Sequence, residues 1–182
     1  WYGGFIRLTS FNGAWPMGVV FVQALLCALY PKAVMRALVP GADRWMTLLF
    51  FCAIAGPLTG LGWYAGQLMP DILTPIGAMA MFLLLTGVRS WMERIAHVLI
   101  ITLCAWCHSS NLLILPIAGA CVIAAVAGKS WSKWRAPLVR WSIATVFAWG
   151  GLCFANGIID GKPYLSRGSH VFLMGRLIDT GM

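Results

Sequence analysis

Long apolar runs separated by short polar breaks organise this chain. The first extends from about Ala14 to Leu38, with Met17 to Tyr30 as its apolar heart and Gln23 as its one strongly polar residue. Lys32 and Arg36 follow, and Pro40-Gly41-Ala42-Asp43-Arg44 closes it. The second extends from about Trp45 to Trp63. It holds Gly56-Pro57-Leu58-Thr59-Gly60, a small-xxx-small spacing that lets helices approach closely, around a proline able to kink the helix. The loop Ala65 to Asp71 contains no Lys or Arg. A third run covers about Ile72 to Val88, before the short basic loop Arg89 to Arg94, and the last covers about Trp141 to Ala155. A bilayer-spanning helix needs about 20 mostly apolar residues, so each of these runs predicts a crossing.

The run Ile95 to Ala127 is different, with thirty-three residues free of Lys, Arg, Asp and Glu. As one helix it would measure roughly 50 Å, against a hydrocarbon core of roughly 30 Å. Near its middle stand His108-Ser109-Ser110-Asn111, its most polar residues. The pattern predicts two short helices, about 95–107 and 112–127, meeting at a polar apex; one long tilted helix is the alternative. Loops rich in Lys and Arg stay cytoplasmic, and both 89–94 and 128–140 are basic. Both lie inside only if the run crosses twice, or dips in and returns. The expectation is an all-α, polytopic transmembrane helix bundle with about six crossings, including a short helical hairpin at 95–127.

On that topology Lys32, Arg36, Arg44, Arg89, Arg94, Lys129, Lys133, Arg135 and Arg140 lie inside, and Arg7, Lys162, Arg167 and Arg176 outside. Residues 1–182 read as a single transmembrane domain, expected to be a segment of a longer chain. Its tail, 156–182, is polar and outer, and Ser169 to Asp179 carries apolar positions at helical spacing. Strand patterns are absent, which argues against a barrel.

Composition strengthens this picture. The chain is 60% hydrophobic and 10% charged, whereas soluble domains carry about 25% charged residues. Its ten Trp suit bilayer interfaces, where Trp and Tyr collect. The net charge of +8 raises the question of nucleic acid. The basic residues sit in short clusters between apolar runs, so they read as topology signals and contacts to anionic lipid headgroups, not as a nucleic-acid face. The integral membrane reading points to a multi-pass protein, and the basic loops to an inner (cytoplasmic) membrane.

Few residues are left to carry chemistry. Cys27, Cys52, Cys104, Cys107, Cys121 and Cys153 all lie within apolar runs and read as small buried hydrophobes. Cys104-Ala105-Trp106-Cys107-His108 matches C-x-x-C-H, the attachment pattern for covalent haem. The motif stands in an apolar run without a haem domain around it, so no cofactor is expected. No second cluster completes a zinc site, and no metal is expected. Asp71, after Pro70 and before a span, reads as a helix N-cap or as an acidic group at a membrane-surface cavity. His108, Ser109, Ser110 and Asn111 read as partners for the freed backbone of a broken helix, or as the lining of a polar pocket. In the tail, Lys162, Arg167, His170 and Arg176 suit a bound anion such as a lipid phosphate, or a solvated face. Gln23 reads as interhelical glue, and His97 as an interfacial residue.

The order of these features resembles bacterial polytopic membrane proteins of the GT-C glycosyltransferase type, including uncharacterised members. The resemblance rests on Gln67-Leu68-Met69-Pro70-Asp71 opening a span and Trp91-Met92-Glu93-Arg94 before the next. It continues in Cys107-His108-Ser109-Ser110-Asn111-Leu112 and in Leu165-Ser166-Arg167-Gly168-Ser169-His170 through Leu177. It implies a multi-helix membrane domain with an outward-facing cavity, and sugar transfer from a polyprenyl-phosphate donor. In that family an acidic residue of the first outer loop acts as base. This chain is expected to begin at or after that loop, and Asp71 does not match that position. Asp71 and His108 are the candidates for catalysis, with Ser109, Ser110, Asn111, Arg167, His170 and Arg176 for substrate. Two rival readings stand beside this one: a non-catalytic subunit packing against partner helices or lipid, and a transporter or flippase component.

Overall fold

The computed structural model describes residues 1–39, 44–58, 63, 66, 69–87, 90–127 and 131–165. Among these the secondary structure is all-helical, without a strand. The helices are α1 (Tyr2–Thr9), α2 (Met17–Leu38), α3 (Arg44–Leu58), α4 (Leu73–Thr86), α5 (Trp91–Cys107), α6 (Asn111–Ala127) and α7 (Trp131–Asp160). A short 3-10 turn, Pro70–Ile72, leads into α4.

Among the described residues, two helices are long and apolar enough to cross a membrane: α2, with 22 residues, and the 28-residue part of α7 from Lys133 to Asp160. Pro70–Thr86 and Asn111–Val126 are apolar but shorter. Both long helices are apolar outside as well as inside. In α2, Val19, Gln23, Cys27 and Tyr30 face inward, while Met17, Phe21, Leu25 and Leu29 stand exposed at four-residue spacing. In α7 the buried side is Ala144, Ala148, Leu152 and Asn156, and Val146, Phe147, Phe154 and Ile158 are exposed.

Local chemistry explains where the helices begin and break. Ser90 and Glu93 form a capping box at the start of α5: the Glu93 N–H donates to Ser90 Oγ (3.2 Å) and the Ser90 N–H to Glu93 Oε2 (3.4 Å). Each bond satisfies a donor that the first turn of a helix leaves free. The apolar run 95–127 is divided. Helix α5 stops at Cys107, His108 is extended (φ −139°, ψ 112°), and α6 restarts at Asn111.

The packing order follows from side chains that reach between elements. Trp149 Nε1 donates to the Leu112 carbonyl (2.8 Å) and Trp141 Nε1 to the Pro116 carbonyl (2.8 Å), so α6 and α7 run antiparallel. Trp106 Nε1 donates to the Ala148 carbonyl (2.9 Å) and lies against Gly151, joining α5 to α7. Tyr30 of α2 meets His97 of α5 at 3.3 Å between Oη and Nδ1. A Cβ added to Gly77 of α4 would stand 2.9 Å from Leu115 and 3.0 Å from Cys104 Cβ, so α4, α5 and α6 meet there at close range. Arg140 Nη1 donates to the Leu84 carbonyl (3.3 Å) in the last turn of α4, where carbonyls lack helical partners.

The bundle therefore has two unlike ends. Asp71, His108–Asn111, Asn156 and the α1 segment gather at one. Lys32 (its Nζ 3.6 Å over the Trp45 ring), Arg36, Arg94, Lys133 and Arg135 belong to the other.

Several sequence expectations shift. Helix α1 was unforeseen. Helix α7 begins at Trp131, not near Trp141, so Lys133, Arg135 and Arg140 lie on a helix instead of in a loop. It also continues to Asp160, so the first residues of the polar tail are helical. His97 is half-buried against Tyr30. Thr59 and Gly60 of the small-xxx-small stretch, and the amphipathic segment 169–179, lie outside the described residues.

Pro116 has no N–H to donate to Leu112 four residues earlier, and the Trp149 indole supplies the missing donor. Replacing Trp149 by Phe is expected to lower stability in detergent unfolding by about 1 kcal/mol. Pro116→Ala restores the backbone donor, so the same Trp149→Phe change is expected to cost less in that background. Equal losses in the two backgrounds would refute the account.

Candidate functional site

The polar end is built around the turn 69–74. Met69 is extended and Pro70 opens the 3-10 turn. Proline suits this place because its N–H is not needed there. Asp71 follows, and its side chain makes no capping hydrogen bond to α4, whose preceding residue is Ile72. The N-cap expectation for Asp71 is therefore corrected. The carboxylate instead faces the helix break: Asp71 Oδ1 lies 3.6 Å from His108 Nε2. That distance is within ion-pair reach and too long for a hydrogen bond. The pair is open to solvent, with Asp71 55% and His108 31% exposed.

The other residues of the apex divide sharply. Ser109 and Ser110 are exposed in the turn. Their carbonyls accept from the first N–H groups of α6: Ser109 from Leu112, and Ser110 from Leu113 and Ile114. Asn111 is completely buried. Its Nδ2 donates to the Cys104 carbonyl (3.0 Å), and its Oδ1 accepts from Thr74 Oγ1 (2.8 Å). Asn111 was a candidate for substrate; its burial and two bonds give it the other reading, a partner for broken-helix backbone.

Residues that the sequence did not flag complete this end. Tyr2 accepts at its hydroxyl from Gln23 Nε2 (3.2 Å), and Gln23 Nε2 also approaches the Met69 carbonyl (3.4 Å). Burial pushes the Tyr2 phenol above its ordinary value; the bond from Gln23 opposes this, and Cys107 and the Asp71 carboxylate reinforce it. Trp1 Nε1 donates to Asn156 Oδ1 (3.0 Å), and Asn156 Nδ2 donates to the Tyr164 carbonyl (2.7 Å). The Tyr164 hydroxyl donates to the Asp160 carboxylate. Only Gln23 left a trace in the sequence, as the lone strong polar group of its run. Thr74, Tyr2 and Trp1 carried no such contrast.

The haem pattern does not fit this packing. Cys104 is fully buried and Cys107 nearly so, and Cys104 Cβ lies against the backbone of Gly77. A macrocycle bonded to Cys104 would have to displace α4. Among the described residues, no group of three or more His, Cys, Asp or Glu stands ready for a metal ion. Arg167, His170 and Arg176 lie outside the described residues. No family model, curated protein or solved structure matches the chain.

Asn111→Leu leaves the buried Cys104 carbonyl with only the longer bond from the His108 N–H (3.3 Å) and takes from the half-buried Thr74 hydroxyl its acceptor. It is expected to destabilise the protein by roughly 1–3 kcal/mol in detergent unfolding. Ser109→Ala and Ser110→Ala, at exposed positions, are expected to stay within about 0.5 kcal/mol of the parent. A neutral Asn111→Leu would show that the break does not depend on this side chain.

Proposed function

We propose that this chain is a multi-pass membrane domain of glycosyltransferase type, acting at its outward end on a lipid-linked sugar. The observation that carries the reading is the meeting of Asp71 and His108 across a helix break, at the end of the bundle opposite Lys32, Arg36, Arg94, Lys133 and Arg135. Apolar outer faces on α2 and α7 support the bilayer as solvent, because a helix that is apolar all round needs apolar surroundings. On this reading α2 to α7 cross in alternation, giving about six crossings. The shorter helices reach across by local thinning of the bilayer and snorkelling of flanking residues. Lys32, Arg36, Arg94, Lys133 and Arg135 then face the cytoplasm, as positive charge does in inner-membrane proteins.

The chemistry follows from an exposed carboxylate beside an imidazole. The Asp71 carboxylate accepts the proton of an acceptor hydroxyl as that oxygen bonds to the anomeric carbon of the donor sugar. The anomeric C–O bond to the polyprenyl phosphate breaks, and the phosphate leaves with the electron pair. His108 orients the carboxylate. Arg167 and Arg176 of the tail are the sequence candidates for holding the leaving phosphate by charge-assisted hydrogen bonds.

A second reading, a non-catalytic subunit, draws on α3. Its described contacts are chiefly with α2, and Trp45, Met46, Leu49, Ile54 and Leu58 are exposed. These exposed apolar side chains would suit a partner helix. Purification of the full-length protein with an obligatory partner, and no transfer by it alone, favours the subunit.

The topology is checked with a membrane-impermeant thiol reagent on intact spheroplasts. Cysteines introduced by Asp71→Cys, His108→Cys and Lys162→Cys are expected to label, and one introduced by Lys133→Cys is not. Labelling of the last alone would invert the orientation and sink the outer-face reading. Activity is checked in proteoliposomes with tritiated polyprenyl-phosphoglucose, read as release of polyprenyl phosphate. Asp71→Asn is expected to slow transfer roughly 10²–10⁴-fold, the usual contribution of a general base.

A further inference from the structure

Asp71 is exposed and makes no capping bond, so its own contacts do not fix where it stands. The short turn that carries it is held on both sides by fully buried amides. Two residues before Asp71, the Met69 carbonyl faces Gln23 Nε2 of α2 at 3.4 Å. Three residues after it, Thr74 Oγ1 donates to Asn111 Oδ1 at 2.8 Å. Asn111 also reaches back to the Cys104 carbonyl in the last turn of α5. His108 lies between Cys104 and Asn111, so one side chain ties the segment bearing His108 to the segment bearing Asp71.

We infer that Gln23 and Asn111 are positioning residues, which clamp the turn 69–74 from α2 and α6 and so keep the Asp71 carboxylate opposite His108. The inference rests on the reading of Asp71 as the base and His108 as the group that orients it. Buried amides suit this task. Each has strong reasons to keep its partners, because an unpaired polar group in apolar surroundings is costly. Neither needs a charge at membrane depth, where charge is expensive. The two act from different helices, so the turn is held against sliding along either one.

The test uses the full-length protein in phosphatidylethanolamine and phosphatidylglycerol vesicles, with exposed Cys52 and Cys121 replaced by Ser. Cysteines placed by Asp71→Cys and His108→Cys are bridged with a short bis-methanethiosulfonate, and the crosslinked peptide is quantified by mass spectrometry. Thr74→Val removes the hydroxyl and keeps the shape. It is expected to lower the crosslinking yield roughly fivefold, the population shift that loss of one hydrogen bond produces. Thr74→Ser is expected to restore it. Gln23→Leu is expected to act like Thr74→Val, and Gln23→Glu, a neutral donor when buried, is expected to recover the yield. In the transfer assay with Asp71 and His108 intact, Thr74→Val and Gln23→Leu are expected to lower kcat roughly tenfold or more with KM unchanged.

Parental crosslinking in both Thr74→Val and Gln23→Leu would overturn the inference. So would a Thr74→Ser variant as impaired as Thr74→Val, since the hydroxyl would then not be the agent. If Asp71→Asn leaves transfer intact while Thr74→Val still lowers the yield, the reading of Asp71 as the base falls and the clamp stands.

Discussion

Asn111 donates to the Cys104 carbonyl and accepts from Thr74, and through these two bonds it joins α4, α5 and α6 where the apolar run had to stop. A helix that breaks among apolar side chains frees carbonyls and N–H groups that water cannot reach. The break is tolerable only if side chains take over their hydrogen bonds. An amide is well suited because it donates from one end and accepts at the other. With the break secured, α6 can turn back along α4, and Gly77 can bring the three helices into close contact. His108 is then left at the surface of the apex, where it meets Asp71.

The same rule operates along the α5–α7 and α6–α7 contacts, with indoles in place of the amide. Trp106, Trp141 and Trp149 each send an N–H to a helix carbonyl of a neighbour. Indole has a large apolar body and a single donor, so it packs and hydrogen-bonds in one step. Small residues make room for it: Gly151 lies beneath Trp106, and Gly119 against Trp141. Neutral donors thus fasten these contacts, while charged groups act near the basic end, with Arg140 on the Leu84 carbonyl and Lys32 over the Trp45 ring.

Much of the architecture was legible because polarity contrasts were strong. His108-Ser109-Ser110-Asn111 stood out in a run without charge, and the break falls there. Asp71 and the apex were expected on one side of the bundle, and the two meet at 3.6 Å. Other features lacked contrast. The start of α7 was hidden because Trp131 to Arg140 mixes aromatic, basic and polar residues, as a loop or a helix end does. The sequence leaves Asp71 open between a cap and a cavity acid, because local sequence cannot see His108 across the bundle. The division of labour within the apex was also invisible. Ser110 and Asn111 are adjacent and both polar, yet one is exposed and the other fully buried. Burial at that scale is decided by helix rotation against α4, which depends on Thr74 and Gly77.

The bond between Trp149 and Leu112 spans 37 residues of sequence. Chains are made from the N-terminus onward, and earlier segments fold first. When α6 emerges, Pro116 has already removed the donor for Leu112, and the indole that replaces it has not yet been synthesised. On the membrane reading, α6 therefore waits at the insertion machinery, or near lipid headgroups and water, until α7 arrives. The proline makes assembly of the last two helices a joint event, and it gives the ribosome's timing a part in how this bundle closes.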